Sequence, residues 1–284
     1  MRCTERAYAK INLTLDVGAK RADGYHEITS VMQRISLWDT VTVERGTGCD
    51  SLLCSVPVTE DANDNLCMKA LRVFFTETAM ESGGVSITLE KHIPTQAGLG
   101  GGSSDAAAVL LALRTLYAPR MTDMRLERLA EKLGSDVPFF IRGGTQLAEG
   151  RGEKLTVLKP APRFFVAVCK PDFPISTPAL FARVDGVTIT DRPDTDAMLA
   201  AIEHGDADTL CANVRNVFEQ ALDGEQRERI ATIKRDLLAY GAKTSAMTGS
   251  GSVVFGLFSD ETSCRAACDA LQSGSIQTFC TEFV

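Results

Sequence analysis

Between residues 7 and 17 apolar and polar side chains alternate without a break. Ala9, Ile11, Leu13, Leu15 and Val17 fall on one face, and Lys10, Asn12, Thr14 and Asp16 on the other. A period of two predicts a half-buried strand. Residues 28–37 and 40–44 predict two further strands on either side of Asp39, and Val85, Ile87 and Leu89 predict another. Helical spacing takes over where Leu66, Ala70, Val73 and Phe74 follow a run of capping residues that ends at Asn65. Residues 106–113 are an apolar run of strong helix formers. Residues 123–133 read as a helix ended by Gly134, and 164–169 as a buried strand. Residues 171–181 carry Pro171, Pro174 and Pro178, which predicts neither regular helix nor central strand. Helices are predicted over 198–203, 209–222, 225–240 and 261–271. Residues 243–258 predict a strand, a glycine turn and a strand, and 276–283 a last strand.

Composition narrows the class. A chain of 284 residues can form one large domain or two medium ones. Two prolines in three residues, Pro160 and Pro162, mark a shift that sets a boundary between 1–158 and 159–284. A net charge of −7 with no run of lysine or arginine argues against a nucleic-acid surface. The first residues hold no apolar signal core and no apolar run spans a bilayer, so the expected location is cytoplasmic, with no membrane partner. Nine cysteines lie scattered with no C-x-x-C pair. Cys264 and Cys268, one helical turn apart, are expected to be core thiols, with neither disulfides nor zinc. Three histidines, His26, His92 and His204, leave little material for histidine clusters.

The candidate chemistry is concentrated between Pro94 and Leu110. Gly98, Gly100, Gly101 and Gly102 fall within five positions, Ser103, Ser104 and Asp105 follow as helix-capping residues, and the apolar run begins at Ala106. A glycine-rich loop that follows a strand and opens a helix aims unpaired N–H groups and the positive end of the helix dipole at one spot, which suits a phosphate. The loop holds no lysine, so it is not a P-loop, and Ser103 or Asp105 stands where a dinucleotide fingerprint needs its third glycine. A tight turn with a capped structural helix satisfies the same spacing. Lys10, projecting from its strand beside Asn12, can supply the positive charge that the loop lacks. Tyr25 and His26 follow the Asp23-Gly24 turn signal, and Asp136 stands between small residues and the apolar run 137–140. By residue type alone each of these is equally a turn or surface group.

The motif Pro-x-x-x-Gly-Leu-Gly-Gly-Gly-Ser-Ser-Asp-Ala-Ala resembles the phosphate loop of the GHMP kinase superfamily, which includes galactokinase and the homoserine and mevalonate kinases. Its extra glycine, with Arg21-Ala-Asp-Gly-Tyr-His26, resembles the branch whose substrate is a cytidine diphosphate-linked methylerythritol. Ala9-Lys-Ile-Asn-Leu13, Leu133-Gly-Ser-Asp-Val-Pro138 and the 243–258 hairpin resemble further superfamily motifs in the expected order. Thr95-Gln96-Ala97 departs from it, since relatives often carry further small residues there.

The resemblance implies a two-domain α+β fold. The N-terminal domain would be ribosomal-S5-domain-2-like with a left-handed crossover, the C-terminal one ferredoxin-like, and the active site would lie in the cleft between them. It implies transfer of the ATP γ-phosphate to the 2-hydroxyl of the methylerythritol moiety, a step of non-mevalonate isoprenoid synthesis, with Mg²⁺. Gly98, Leu99, Gly100, Gly101, Gly102, Ser103 and Ser104 would cradle ATP, with Asn65 and Lys91 near the adenine. Asp136 would accept or orient the proton of the attacking hydroxyl, and Lys10 would sit between that carboxylate and the transferring phosphoryl group. Asn12, Tyr25, His26, Thr177 and Phe181 would bind the acceptor, with Tyr25, His26 and Phe181 on the cytosine. The metal ligands stay open, with Ser104 a candidate. A monomer or a weak homodimer fits equally. The rival readings are another GHMP small-molecule kinase of the mevalonate or homoserine type, and a non-catalytic nucleotide-binding protein of the same fold.

Overall fold

A computed structural model describes residues 1–57, 59 and 61–284. The elements in chain order are β1 (Arg2–Lys20), β2 (His26–Arg45), β3 (Ser51–Cys54), α1 (Leu66–Thr78), β4 (Val85–Glu90), α2 (Gly101–Tyr117), α3 (Asp123–Glu131) and α4 (Phe139–Arg142). There follow β5 (Thr145–Glu149), β6 (Lys154–Val157), β7 (Phe165–Pro171), α5 (Thr177–Val184), α6 (Thr195–His204) and α7 (Ala207–Ala212). The chain closes with β8 (Arg215–Asn216), α8 (Gly224–Ala239), β9 (Thr244–Met247), β10 (Val254–Phe258), α9 (Glu261–Leu271) and β11 (Ile276–Glu282). Two compact units share them. One comprises Met1–Ala9, Leu37–Thr95 and Gly100–Gly143, the other Lys10–Ser36, Gln96–Leu99 and Gly144–Val284. Among the described residues no helix is long and apolar enough to cross a membrane.

In the first unit β3 runs parallel to β4, and β4 is antiparallel to the C-terminal half of β2, from Thr40 opposite Glu90 to Arg45 opposite Val85. Helices α1 to α4 supply the rest of its core, in which Leu71, Phe74, Ile87, Leu89, Leu110 and Phe139 are fully buried. β2 is one strand, where the sequence predicts two. Asp39 does not break it because its carboxylate is satisfied: it accepts from the backbone N–H groups of His92 and Ile93 and from Lys91. A buried polar group with its partners in place need not interrupt a strand.

In the second unit β7, β9, β10 and β11 form an antiparallel sheet in the order β11-β7-β10-β9. With the helices between them this is the split βαβ arrangement of a ferredoxin-like domain. Apolar residues of α8 and α9, among them Ile230, Ile233, Leu237, Cys264, Ala267 and Leu271, join Ala167, Val254 and Phe258 of the sheet in one core cluster. In the same unit Thr14 and Leu15 of β1 pair in parallel with β8, and Ser30–Gln33 of β2 pair with β5.

Two other predicted elements differ. Residues 209–222 are not one helix but α7, β8 and a 3₁₀ turn over Val217–Ala221. Asn216 is the cause: its Oδ1 caps Phe218 N at 3.0 Å, while its Nδ2 donates to the carbonyls of Met247 and Gly249 at 2.8 and 2.9 Å. The proline-rich stretch yields helix α5 from Thr177 onward. Ser176 caps it, and Pro178 sits in its first turn, where a helix has no use for the missing N–H.

Candidate functional site

Helix α2 begins at Gly101, five residues before the apolar run, so Ser103, Ser104 and Asp105 lie inside its first turns and do not cap it. The cap is Gly100, held at φ 71° in the left-handed region, and no side chain bonds to the helix start. A glycine is the residue that takes this backbone at little cost. The other helices longer than one turn among the described residues all have a side-chain cap, from Asn65, Thr122, Ser176, Asp194, Asp206, Asp223 or Asp260. The N-terminal N–H groups of α2 are therefore left for something other than a side chain, and a helix N-terminus of this kind binds anions. Ser104 and Asp105 are both buried.

The preceding residues 96–99 belong to the second unit, where they lie against the turn between β9 and β10. Gly98 has φ 77°, and a Cβ built on it would stand 2.3 Å from the Thr248 carbonyl oxygen. Lys10 N donates to Leu99 O at 3.0 Å. The polar face of β1 is not wet here: Lys10 and Asn12 are each only 4% exposed. Asn12 ties this corner together. Its Oδ1 accepts from Lys10 Nζ at 2.7 Å, from Gly249 N at 3.0 Å and from Thr248 Oγ1 at 3.2 Å. Its Nδ2 donates to Ser30 Oγ at 2.8 Å, and Ser30 in turn donates to Thr14 O. One partner of the Lys10 ammonium is thus a neutral amide, and the Lys10 backbone is tied to Leu99 of the glycine loop.

The second unit also gathers the residues expected to meet a base. His26 is 7% exposed, and its ring stacks on Phe181 with centroids 5.2 Å apart at 22°. Phe181 meets Phe218 edge-on at 4.9 Å. His26 Nε2 lies 2.7 Å from Asp185 Oδ1, and this hydrogen bond holds the Asp185 carboxyl below its ordinary range. Tyr25 stands apart, 58% exposed, with the Arg151 guanidinium 5.1 Å over its ring. Thr177 opens α5 and shares a 2.6 Å hydrogen bond with Ser250 of the glycine turn. Both line an open cavity of about 750 Å³, whose wall also includes Gln96, Gly98, Pro174 and Arg183. Thr177 is therefore on the glycine-loop side of this unit, whereas Phe181, one helical turn on, contacts His26.

In the first unit Lys91 is not at the surface. Its ammonium is pinched between Asp39 and Asp105, the latter at 2.7 Å, and all three side chains are buried. Burial opposes the Lys91 charge, yet the two carboxylates hold its pKa up. Burial pushes the Asp105 carboxyl up to about 7, against the pull of Lys91 and with a further push from Asp39. Asp105 Oδ1 has no hydrogen-bond partner. Asn65 is the buried cap of α1, its Oδ1 2.9 Å from Cys67 N. Asp136 is half-buried in the turn leading to α4, beside the buried Val137, Phe139 and Phe140.

Sequence reasoning missed Asp39, Ser30, Asp185, Asn216 and Thr248. Only Thr248 lay in a flagged motif, the Thr-Gly-Ser-Gly turn. The others are single polar residues whose importance comes from partners distant in the chain, and no local pattern signals that. Among the described residues no cluster of three or more histidine, cysteine or acidic side chains is arranged to hold a metal ion.

The family model for the GHMP kinases N terminal domain matches residues 65–144, and that for the GHMP kinases C terminal matches residues 198–276. A 4-diphosphocytidyl-2-C-methyl-D-erythritol kinase of Clostridium tetani is 41% identical, over 89% of this chain and 90% of that protein. One of Caldicellulosiruptor saccharolyticus is 39% identical over 94% of this chain and 92% of its own length. The crystal structure of a 4-(cytidine 5'-diphospho)-2C-methyl-D-erythritol kinase superposes with a TM-score of 0.83 at 32% identity, covering 99% of each chain. A homoserine kinase from Cytophaga hutchinsonii shares the fold, with a TM-score of 0.75 at 16% identity over 100% of this chain and 94% of that one.

Proposed function

Since the chain belongs to the GHMP kinases, and among them to the 4-diphosphocytidyl-2-C-methyl-D-erythritol kinases, we propose how its residues divide the work of phosphorylating the 2-hydroxyl of 4-diphosphocytidyl-2-C-methyl-D-erythritol with ATP. The observation that carries the assignment is the uncapped start of α2 behind the glycine loop. Residues 98–104 offer backbone N–H groups to the ATP phosphates. Ser104 would be the candidate ligand in this stretch for Mg²⁺, a cation that takes oxygen ligands and accompanies nucleotide phosphates. Asn65 and Lys91 line the adenine side. Lys91 acts there through its alkyl stem and through the helix start it steadies, because two carboxylates already occupy its ammonium.

Phosphoryl transfer asks the protein mainly for position and charge. Lys10 stabilises the charge that develops on the transferring group, and Asn12 fixes the direction of its ammonium while its amide faces the acceptor. Asp136 accepts or orients the proton of the attacking hydroxyl. Tyr25, His26 and Phe181 hold the cytosine, and Thr177 bounds the acceptor side of the cavity it lines. Isoprenoid synthesis by the non-mevalonate route is the pathway context of this reaction.

The domain boundary proposed at 158/159 falls between the two matched family segments. All nine cysteines are free thiols, which supports a reducing, cytoplasmic setting. A monomer or a weak homodimer fits this assignment equally.

The test is ATP turnover by the purified protein with 4-diphosphocytidyl-methylerythritol, its uncytidylated phosphate, mevalonate and homoserine, each offered alone. Turnover with the first compound only is expected. Turnover with mevalonate or homoserine would keep the kinase and remove the cytosine pocket, and ATP binding without any turnover would point to a non-catalytic protein.

A further inference from the structure

The His26 ring of the proposed base pocket is held from two directions. Phe181 covers its face at 5.2 Å, and Asp185, the residue that ends α5, takes Nε2 at 2.7 Å. Lys20 Nζ lies 3.7 Å from the other Asp185 oxygen, so the carboxylate is anchored in turn. An ionised carboxylate can only accept hydrogen bonds, so Nε2 carries a proton. In the neutral ring the nitrogen that can accept from a ligand is then Nδ1. Its lone pair accepts from an exocyclic amine and repels a carbonyl oxygen. Cytosine carries an amine at position 4, and uracil carries an oxygen there.

We propose that Asp185 is a specificity-determining positioning residue. It sets the His26 tautomer that accepts from the cytosine amine, and so makes the protein reject a uridine-linked acceptor. The proposal rests on the reading that His26 faces the base. It adds the reason why one pyrimidine is preferred and the residue, distant in sequence, that enforces the preference.

The experiment compares 4-diphosphocytidyl-methylerythritol with its uridine counterpart as acceptors for the wild-type protein and for Asp185→Ala and Asp185→Glu. The wild type is expected to favour the cytidine compound by about a hundredfold or more, because a site built for a donor leaves its acceptor unpaired against the wrong base. In Asp185→Ala the KM for the cytidine compound should rise about tenfold and the preference should fall by at least about tenfold, with kcat and the KM for ATP little changed. Asp185→Glu keeps the carboxylate and should recover part of the preference. A preference unchanged in Asp185→Ala overturns the proposal.

No turnover of the cytidine compound by the wild type overturns the underlying reading of the site instead, so the two failures are distinct. A second measurement needs no variant at this position. Nitrogen NMR of the wild type, with His26 assigned by His92→Gln and His204→Gln since only three histidines exist, should show a proton on Nε2 and a pyridine-like Nδ1. A proton on Nδ1 of the neutral ring refutes the tautomer even if Asp185→Ala does not fold.

Discussion

Gly98 and Thr248 meet backbone to backbone. A methyl group on residue 98 would stand 2.3 Å from the Thr248 carbonyl oxygen, and the φ of 77° there already disfavours any side chain. The glycine-loop backbone and the β9–β10 turn thus fit each other only through a glycine. Gly98→Ala is expected to lose about 2 kcal/mol or more of stability and to raise the KM for ATP, since both the strain and the clash fall on the loop itself. Gly102→Ala is the contrast. Its Cβ would find Leu66 Cδ1 at an ordinary 3.7 Å, and residue 102 is already helical. Thermal unfolding of the two variants side by side decides the matter: equal losses would mean that the close approach to Thr248 is not what requires glycine at 98.

Asn12 spends its amide on four side-chain hydrogen bonds, three accepted and one donated, in a site with almost no water access. Asn12→Ala removes a hydrogen-bond partner from Ser30, Gly249 and the Lys10 ammonium at once. A loss of about 3 kcal/mol by urea denaturation is expected, because unsatisfied buried groups cost more than the bonds they lose. Activity should fall further than stability explains, since the ammonium is no longer aimed. Lys10→Met, close in volume to the lysine stem, should leave the fold intact and cut kcat by about 10² to 10³-fold. A Lys10→Met protein with near-normal kcat would remove Lys10 from the chemistry.

Asp136 is half-buried in the turn that leads to α4, just ahead of the buried Val137, Phe139 and Phe140. Asp136→Asn keeps the shape and removes the basic oxygen. Turnover should drop by about 10² to 10⁴-fold, while ATP affinity measured by calorimetry stays within a factor of about two. Turnover that survives the change would reassign the residue as a structural turn aspartate.

The parts of this fold that were legible in the sequence are those whose pattern is local. The alternation through β1 put Lys10 and Asn12 on one face, and the helix predicted over 261–271 is α9 residue for residue. What escaped was decided by partners far along the chain. Asp39 reads as a strand breaker until the backbone of residues 92 and 93 is seen to satisfy it, and Asn216 breaks a good helical pattern because carbonyls at 247 and 249 claim its amide. The start of α2 was misplaced for a related reason. Ser103, Ser104 and Asp105 are the residues that normally cap, but the glycines take the helix start and no side chain caps it. Burial of Lys10 and Lys91 was equally invisible, since a lysine in an alternating strand ordinarily faces water.

Asp105 makes stability depend on pH in a way that isolates one group. Its carboxyl is pushed up to about 7 by burial, with Lys91 pulling down and Asp39 pushing up, whereas an unfolded aspartate has its ordinary value of 3.8. The folded state therefore holds a proton that the unfolded chain has already released. The sign follows from linkage: the contribution of this group is greatest below the unfolded value, declines as pH rises from about 4 to about 7, and is flat once both states are ionised. Asp105→Asn carries no titrating proton but preserves the shape and an oxygen for Lys91. The variant should match the wild type below about pH 4 and exceed it near pH 8, read as the difference between the two urea midpoints. Two parallel curves across that range would mean that Asp105 is ionised in the folded protein throughout, with Lys91 outweighing burial.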